Sequence, residues 1–277
     1  MKRRLGVALG SGGARGLAHL ALLEKIEDVG AKIDIIAGSS IGAVIGAAYA
    51  LEPNARKLKR FSIYLMTKFG SSIRKLRSTV EIKVGLTNRV KFFNRLLTRE
   101  ALDASDFLYS TISQIFGKSR FSDCKLKLGV VSTSMNGEIE LIEEGYIVDA
   151  VVASASIPGA FPPMRLGSMN LMDGGVMRVV PVAEVRKMGA DFVVASNITP
   201  SLRRHDFHDI FDYVVYLDDL KGEILSLSDV EEADLVVDFT ELKVPWYRFD
   251  LVTRILEEAE RILQNHSEFF RTMEVVA

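Results

Sequence analysis

A window of 17 residues without a charged side chain, from Ile35 to Leu51, allows two incompatible structures. Its length is at the lower limit for a helix that crosses a bilayer. However, the turn sequence GSSIG at residues 38–42 divides the window, and a β-branched run precedes that turn. The sequence therefore favours a buried strand followed by a small-residue helix over a membrane span.

The first 53 residues contain two strand–turn–helix units. An apolar run at residues 4–9 ends in the glycine-rich sequence GSGGARG, and an amphipathic segment follows to Val29. The strand KIDIIAG and a small-residue helix that stops before Pro53 repeat this order. Two such units predict a three-layer α/β/α fold around a mostly parallel sheet.

Alternating strand and helix patterns continue to about residue 198, with a hairpin predicted at Asn136-Gly137. We predict one domain over residues 1–277, with a helical, lid-like insertion at 54–118. The C-terminal part, 200–277, contains an acidic segment and then a long amphipathic helix. The apolar stripe of that helix includes Val252, Ile255, Ala259, Ile262 and Phe269.

The formal net charge of -1 conceals two segments of opposite charge. Residues 54–100 contain thirteen Lys and Arg against two acidic residues, and residues 206–238 contain eleven Asp and Glu against one Lys. Apolar side chains interleave the basic segment, a pattern that suits peripheral contact with an anionic membrane. A solvated helical face that packs by its apolar side is the alternative.

The single cysteine, Cys124, excludes an internal disulfide and a cysteine-based metal cluster. The apolar run after the basic N-terminus is too short for a secretory signal. We therefore expect a cytoplasmic protein, with peripheral contact at the inner membrane surface as an option. The sequence predicts no metal, organic cofactor or nucleic acid partner, and it leaves the oligomeric state open.

The sequence GSSIG fits G-x-S-x-G, in which a serine lies on a sharp turn between a strand and a helix. Ser40 is then a candidate nucleophile, or else an ordinary helix N-cap. The upstream loop GSGGARG can direct backbone N–H groups at a phosphate or at an oxyanion. Its glycine spacing departs from the dinucleotide pattern, and Asp34 stands at the wrong end of the second strand.

A serine nucleophile needs a base, and none of the four histidines fits well. His266 lies on the apolar face of the last helix, and His205 and His208 fall in a polar stretch. His19 could approach the glycine loop, but a structural role is favoured for it. Asp173, which precedes two glycines after a short strand, is the remaining candidate. Alternatively, Asp173 is an ordinary aspartate of a turn without a catalytic role.

Four segments in order, GSGGARG, GSSIG, ASASIPGAFPP and DGG, resemble the patatin-like phospholipase family in its bacterial branch. The resemblance covers about residues 4–200. It implies that Ser40 is the nucleophile and Asp173 the base of a Ser-Asp dyad without histidine. It also implies an oxyanion hole at Gly12, Gly13 and Arg15, and a phospholipid, lysophospholipid or other acyl-ester substrate.

The sequence departs from the family pattern in two segments: Ser11 stands where a glycine is common, and Arg178 stands where D-G-G-x-x-N-P-x-P has asparagine. Arg178 near Asp173 would lower the pKa of that carboxyl and weaken it as a base. Alternatively, Arg178 faces solvent or the acidic stretch near Asp218 and Asp219. Three other functions stay open: a non-catalytic lipid- or partner-binding regulator, a phosphate or nucleotide-binding protein, and an acyltransferase.

Overall fold

The computed structural model describes residues 3–65, 100–200, 210–246, 248–266, 269 and 271–273. Eight strands of this described part form one sheet. They are β1 (Leu5–Leu9), β2 (Ile33–Ser39), β3 (Lys127–Ser134), β4 (Ile139–Ile142), β5 (Met164–Leu166), β6 (Met169–Asp173), β7 (Phe192–Asn197) and β8 (Leu235–Asp238).

The sheet is mostly parallel, as the two N-terminal units predict. The strand order is β5-β6-β3-β2-β1-β7-β8, and β4 also pairs with β3. β3, β2, β1, β7 and β8 run parallel to one another, whereas β4 and β6 pair antiparallel with β3, and β5 pairs antiparallel with β6. The carboxyl ends of the five parallel strands therefore lie at one edge, where α/β proteins bind their ligands.

Helices cover both faces of the sheet. They are α1 (Ala18–Asp28), α2 (Ile41–Leu51), α3 (Glu100–Phe116), α4 (Ile147–Ser154), α5 (Val182–Lys187), α6 (Ile210–Asp229) and α7 (Val252–Gln264). Residues 55–65 are also helical. Successive side chains of β1 enter two separate cores: Val7 and Leu9 pack with α1, α2, α4 and α7, and Ala8 packs with α5. The three-layer α/β/α prediction is confirmed.

The uncharged window divides as the sequence predicts. β2 ends at Ser39 and α2 begins at Ile41, so the apolar run is the end of a strand followed by a helix of 11 residues. Within the described ranges, no helix combines the length and the apolar character needed to cross a membrane. The strand β2 and the helix α2 instead contribute their apolar side chains to the core.

The C-terminal part contains elements that the sequence patterns did not predict. α6 and β8 occupy the acidic segment, which was predicted only as a charged stretch. The last helix ends at Gln264, but residues 269 and 271–273 of the predicted helix are again helical, and Phe269 is buried. Residues 66–99, most of the predicted insertion and of the basic segment, lie outside the described residues, so those predictions stand as they were.

Candidate active site

Ser40 lies at a strained turn between β2 and α2. Its φ is 54°, a positive value found at no other non-glycine residue of the described part. The Ser40 N–H donates to the Ser154 hydroxyl at 2.9 Å, and that hydroxyl donates to the carbonyl of Val131 at 2.5 Å. Hydrogen bonds to Ser154 of α4, and through it to β3, therefore fix the conformation of the turn.

The two outer glycines of GSSIG are required by close packing. A Cβ at Gly38 would lie 2.2 Å from the backbone of Gly42, and a Cβ at Gly42 would lie 2.2 Å from the carbonyl oxygen of Leu9. Real Cβ atoms do not make contacts this short. The end of β2, the start of α2 and the end of β1 can therefore approach one another only because Gly38 and Gly42 have no side chain. The same approach brings the glycine loop after β1 against the start of α2, which follows Ser40.

The path of β3 brings Asp173 to Ser40. β2 pairs with the first part of β3, and β4 pairs with the opposite edge of β3. β6 therefore pairs with the last part of β3 on the same edge as β2. Ser39 is thus opposite Val131, and Asp173 is opposite the next residue, Ser132. The Ser40 hydroxyl donates to Asp173 Oδ2 at 2.5 Å across 133 positions of sequence.

The Asp173 carboxylate is buried and oriented. Its side chain accepts the Gly175 N–H at Oδ1 at 2.8 Å, and only 5% of the residue is exposed. Burial raises the pKa of Asp173 to about 6, and the hydrogen bonds from Ser40 and Gly175 partly oppose that rise. The carboxylate is therefore mostly ionised at neutral pH yet is a stronger base than an exposed aspartate.

The glycine loop offers two backbone donors to an anion. Three of its N–H groups are already bonded: Gly10 to Ser196, Ser11 to Val179 and Ala14 to Trp246. Between them, the N–H groups of residues 12 and 13 have no acceptor within the described residues. Two adjacent donors suit a single oxyanion.

Arg15 acts on this loop through its side chain. The Arg15 Nε–H donates to the carbonyl of Gly12 at 3.2 Å, and the residue is only 6% exposed. Since the Gly12 carbonyl and the Gly13 N–H belong to one planar peptide unit, this contact also fixes the direction of the Gly13 N–H. Burial lowers the pKa of the guanidinium, and the charge of Asp219 opposes that effect.

Neither histidine of the described part can serve as the base. His19 is fully buried, its Nε2 bonds the carbonyl of Gly10 at 2.9 Å, and its Nδ1 bonds the Ser196 hydroxyl at 2.8 Å. Because a carbonyl only accepts, Nε2 holds the proton, and burial lowers the pKa of His19 to about 4. His266 bonds the backbone of Val236 and Phe269. His205 and His208 lie outside the described residues.

Arg178 faces the acidic segment at residues 206–238, as the alternative prediction had it, but it contacts Asp229 and not Asp218 or Asp219. Its guanidinium donates to Asp229 at 2.6 Å and pairs with Glu184 at 3.2 Å. The other oxygen of Asp229 accepts the N–H groups of Val179 and Val180. The prediction that Arg178 approaches Asp173 is wrong, because buried carboxylates of α5 and α6 compete for it. The Arg178 carbonyl does accept the Ser39 hydroxyl at 2.7 Å.

The chain is similar in sequence to known proteins. A family model described as patatin-like phospholipase matches residues 7–186. Lysophospholipase NTE1 of Meyerozyma guilliermondii is 30% identical over 200 residues, which cover 70% of this chain and 12% of that protein. Lysophospholipase NTE1 of Saccharomyces cerevisiae is 30% identical over 199 residues, which cover 70% of this chain and 11% of that protein. The chain thus matches only a small part of these relatives.

A solved structure can be aligned with nearly all of this chain. The crystal structure of VipD from Legionella pneumophila aligns with a TM-score of 0.48 and 14% identity. The alignment covers 96% of this chain and 67% of that chain.

Proposed function

Because the chain belongs to the patatin-like phospholipase family, we propose that it hydrolyses carboxylic esters of phospholipids or lysophospholipids through a dyad of Ser40 and Asp173. The hydrogen bond of 2.5 Å between the Ser40 hydroxyl and Asp173 carries this proposal. The relatives named as lysophospholipases support the substrate class. A hydroxyl on a strained turn, bonded to a buried carboxylate, is an activated nucleophile that needs no histidine.

The reaction has two stages. Ser40 Oγ attacks the ester carbonyl as its proton passes to Asp173, and the oxyanion accepts hydrogen bonds from Gly12 and Gly13. Asp173 then gives that proton to the departing alcohol oxygen, which leaves an acyl group on Ser40. Water attacks this acyl ester, again losing a proton to Asp173, and the fatty acid departs as the Ser40 hydroxyl re-forms.

Two of the rival functions have less support in the described contacts. A phosphate cradle uses several convergent N–H groups, but three of the loop's donors are bonded to the protein. The case for a non-catalytic regulator depended on Arg178, which is paired with Asp229 instead of Asp173. Acyl transfer to an acceptor other than water uses the same residues and differs only in the second stage.

A covalent probe tests the nucleophile. We expect a fluorophosphonate to label the wild-type protein and p-nitrophenyl butyrate to be hydrolysed, whereas Ser40→Ala loses both reactions. Ser156→Ala is the matched control, since this buried hydroxyl bonds the carbonyl of Val152 and not Asp173. Labelling that persists in Ser40→Ala would place the nucleophile elsewhere, and wild type without either reaction would contradict the proposed enzyme.

The activity should also depend on pH through Asp173. Only the ionised carboxylate accepts the serine proton, and burial raises the pKa of Asp173 to about 6. We therefore expect kcat/KM to be level above this pKa and to fall about tenfold per pH unit below it. The measurement is the pH profile of p-nitrophenyl butyrate hydrolysis. An undiminished rate well below the pKa would show that Asp173 is not the base.

The site of action stays a prediction. The basic segment at 54–100 would favour peripheral contact with an anionic membrane, and most of it lies outside the described residues. Location in the cytoplasm and the oligomeric state are untested by the contacts described above.

A further inference from the structure

The segment after β8 reaches the candidate site from outside the residues that match the family model. β8 ends beside β7, and the Phe239 N–H donates to the carbonyl of Asn197 at 2.7 Å. Phe239, Leu242 and Val244 are buried in the core, so the segment is anchored along the carboxyl edge of the sheet. Two residues after Val244 comes Trp246, the single tryptophan of the chain.

The backbone of Trp246 contacts the glycine loop directly. Its carbonyl accepts the Ala14 N–H at 2.6 Å. A Cβ placed on Gly13 would lie 2.4 Å from this carbonyl oxygen and 3.0 Å from the Trp246 Cβ. Gly13 has a φ of 59°, so both its conformation and the space beside it require glycine. The two backbones are therefore packed together where one oxyanion donor lies.

We propose that the Trp246 indole forms one wall of the binding site for the acyl chain of the substrate. This inference depends on the proposed function, since it assigns a residue to the same ester site. The Trp246 Cβ lies beside Gly13, and Trp246 is half-buried, so part of this residue is accessible next to an oxyanion donor. Indole rings combine a large apolar surface with few rotatable bonds, which suits a wall against a hydrocarbon chain.

The backbone and side chain of Trp246 have separable effects. The carbonyl that bonds Ala14 is present whatever the side chain, so a substitution at this position keeps the tether of the loop. Loss of the indole removes apolar contact that grows with the length of the acyl chain. A purely structural tryptophan would instead change the rates for short and long esters by the same factor.

Chain-length selectivity tests the proposal. The readout is the ratio of kcat/KM for p-nitrophenyl octanoate to that for p-nitrophenyl acetate. We expect Trp246→Ala to lower this ratio about tenfold and Trp246→Phe to retain most of it. Phe249→Ala is the matched control, because Phe249 packs against the core and should leave the ratio unchanged. An unchanged ratio in Trp246→Ala overturns the proposal.

Fluorescence gives a second readout that needs no turnover. Since the chain has one tryptophan, its emission reports on this position alone. In Ser40→Ala, titration with a monomeric short-chain lysophosphatidylcholine should shift the emission to shorter wavelength and saturate. No shift up to the solubility limit of the lipid overturns the proposal.

The two proposals fail in different ways. Suppose that hydrolysis depends on Ser40 but that Trp246→Ala has the same chain-length ratio as the wild type. The proposed role of Trp246 would then be wrong, and the proposed esterase activity would be unaffected. If the wild-type protein hydrolyses no ester but the saturable emission shift is still seen, the proposed esterase activity would be wrong. Lipid binding at Trp246 would remain supported.

Discussion

Asp173→Asn should remove nearly all activity while making the folded protein more stable at neutral pH. An amide cannot take the Ser40 proton, so we expect kcat/KM for p-nitrophenyl butyrate to fall by roughly 10²–10⁴-fold. The same substitution removes a buried charge from a residue that is only 5% exposed. Rate and stability should therefore change in opposite directions.

The stability effect has a definite dependence on pH. Burial raises the pKa of Asp173 from 3.8 to about 6 in the folded protein, so folding disfavours the ionised form. This penalty is absent below the unfolded pKa, grows as the pH rises, and is complete above the folded pKa, where it reaches about 3 kcal/mol. Asp173→Asn should thus gain stability at pH 8 and little at pH 4, as measured by urea unfolding.

Ser40→Ala is the variant to compare with Asp173→Asn, in both activity and stability. It should lose activity to a similar extent but without a stability gain, because Asp173 stays buried and loses a hydrogen bond. The double variant should be no slower than the slower single variant, since residues that act as a unit are not additive. A fully active Asp173→Asn would refute the dyad, and a less stable one at pH 8 would refute the burial argument.

Gly42→Ala should be severely destabilising, whereas Gly46→Ala, one turn farther along α2, should not be. A Cβ at Gly42 would lie 2.2 Å from the Leu9 carbonyl and 2.9 Å from that of Gly10, which are both rigid backbone atoms. Forced separation of α2 from the end of β1 should lower the free energy of unfolding by about 3 kcal/mol. Activity should fall too, because the glycine loop would shift away from Ser40.

The control at Gly46 separates packing from helix propensity. The nearest atom to a Cβ there is Ile36 Cγ1 at 3.6 Å, an ordinary contact. Alanine is the better helix former, so Gly46→Ala should raise the free energy of unfolding by about 0.5–1 kcal/mol. Thermal unfolding of both variants is the measurement. A Gly42→Ala protein as stable as Gly46→Ala would show that the close approach at Leu9 is not rigid.

The sequence patterns predicted the parts of the site that depend on neighbours along the chain. GSSIG after a buried strand placed Ser40 at a turn into a helix, and the structure has that turn. A structural role was favoured for His19, and its buried bonds to Gly10 and Ser196 agree with that role. These predictions succeed because glycine sterics and apolar periodicity act over a few residues.

The sequence patterns failed where the partner is distant in the chain. Arg178 was expected near Asp173 or in the acidic stretch near Asp218; it lies against that acidic segment, but its partner there, Asp229, was not identified. Trp246 was not selected as a candidate at all, since no local pattern marks a residue whose carbonyl meets Ala14. In both cases the contact is set by how β8, α6 and the segments beside them pack onto the sheet.

The amino-acid sequence by itself determined the alternation of strands and helices, the turn at Ser40 and the glycine-rich backbone that allows close approach. Only the tertiary structure decided that β6 continues the edge of β3 beyond β2, which brings Asp173 to Ser40. It also decided the burial that raises the pKa of Asp173 to about 6. The physical reason is that backbone preferences are local, whereas desolvation and hydrogen-bond partners depend on atoms that folding brings from distant parts of the chain.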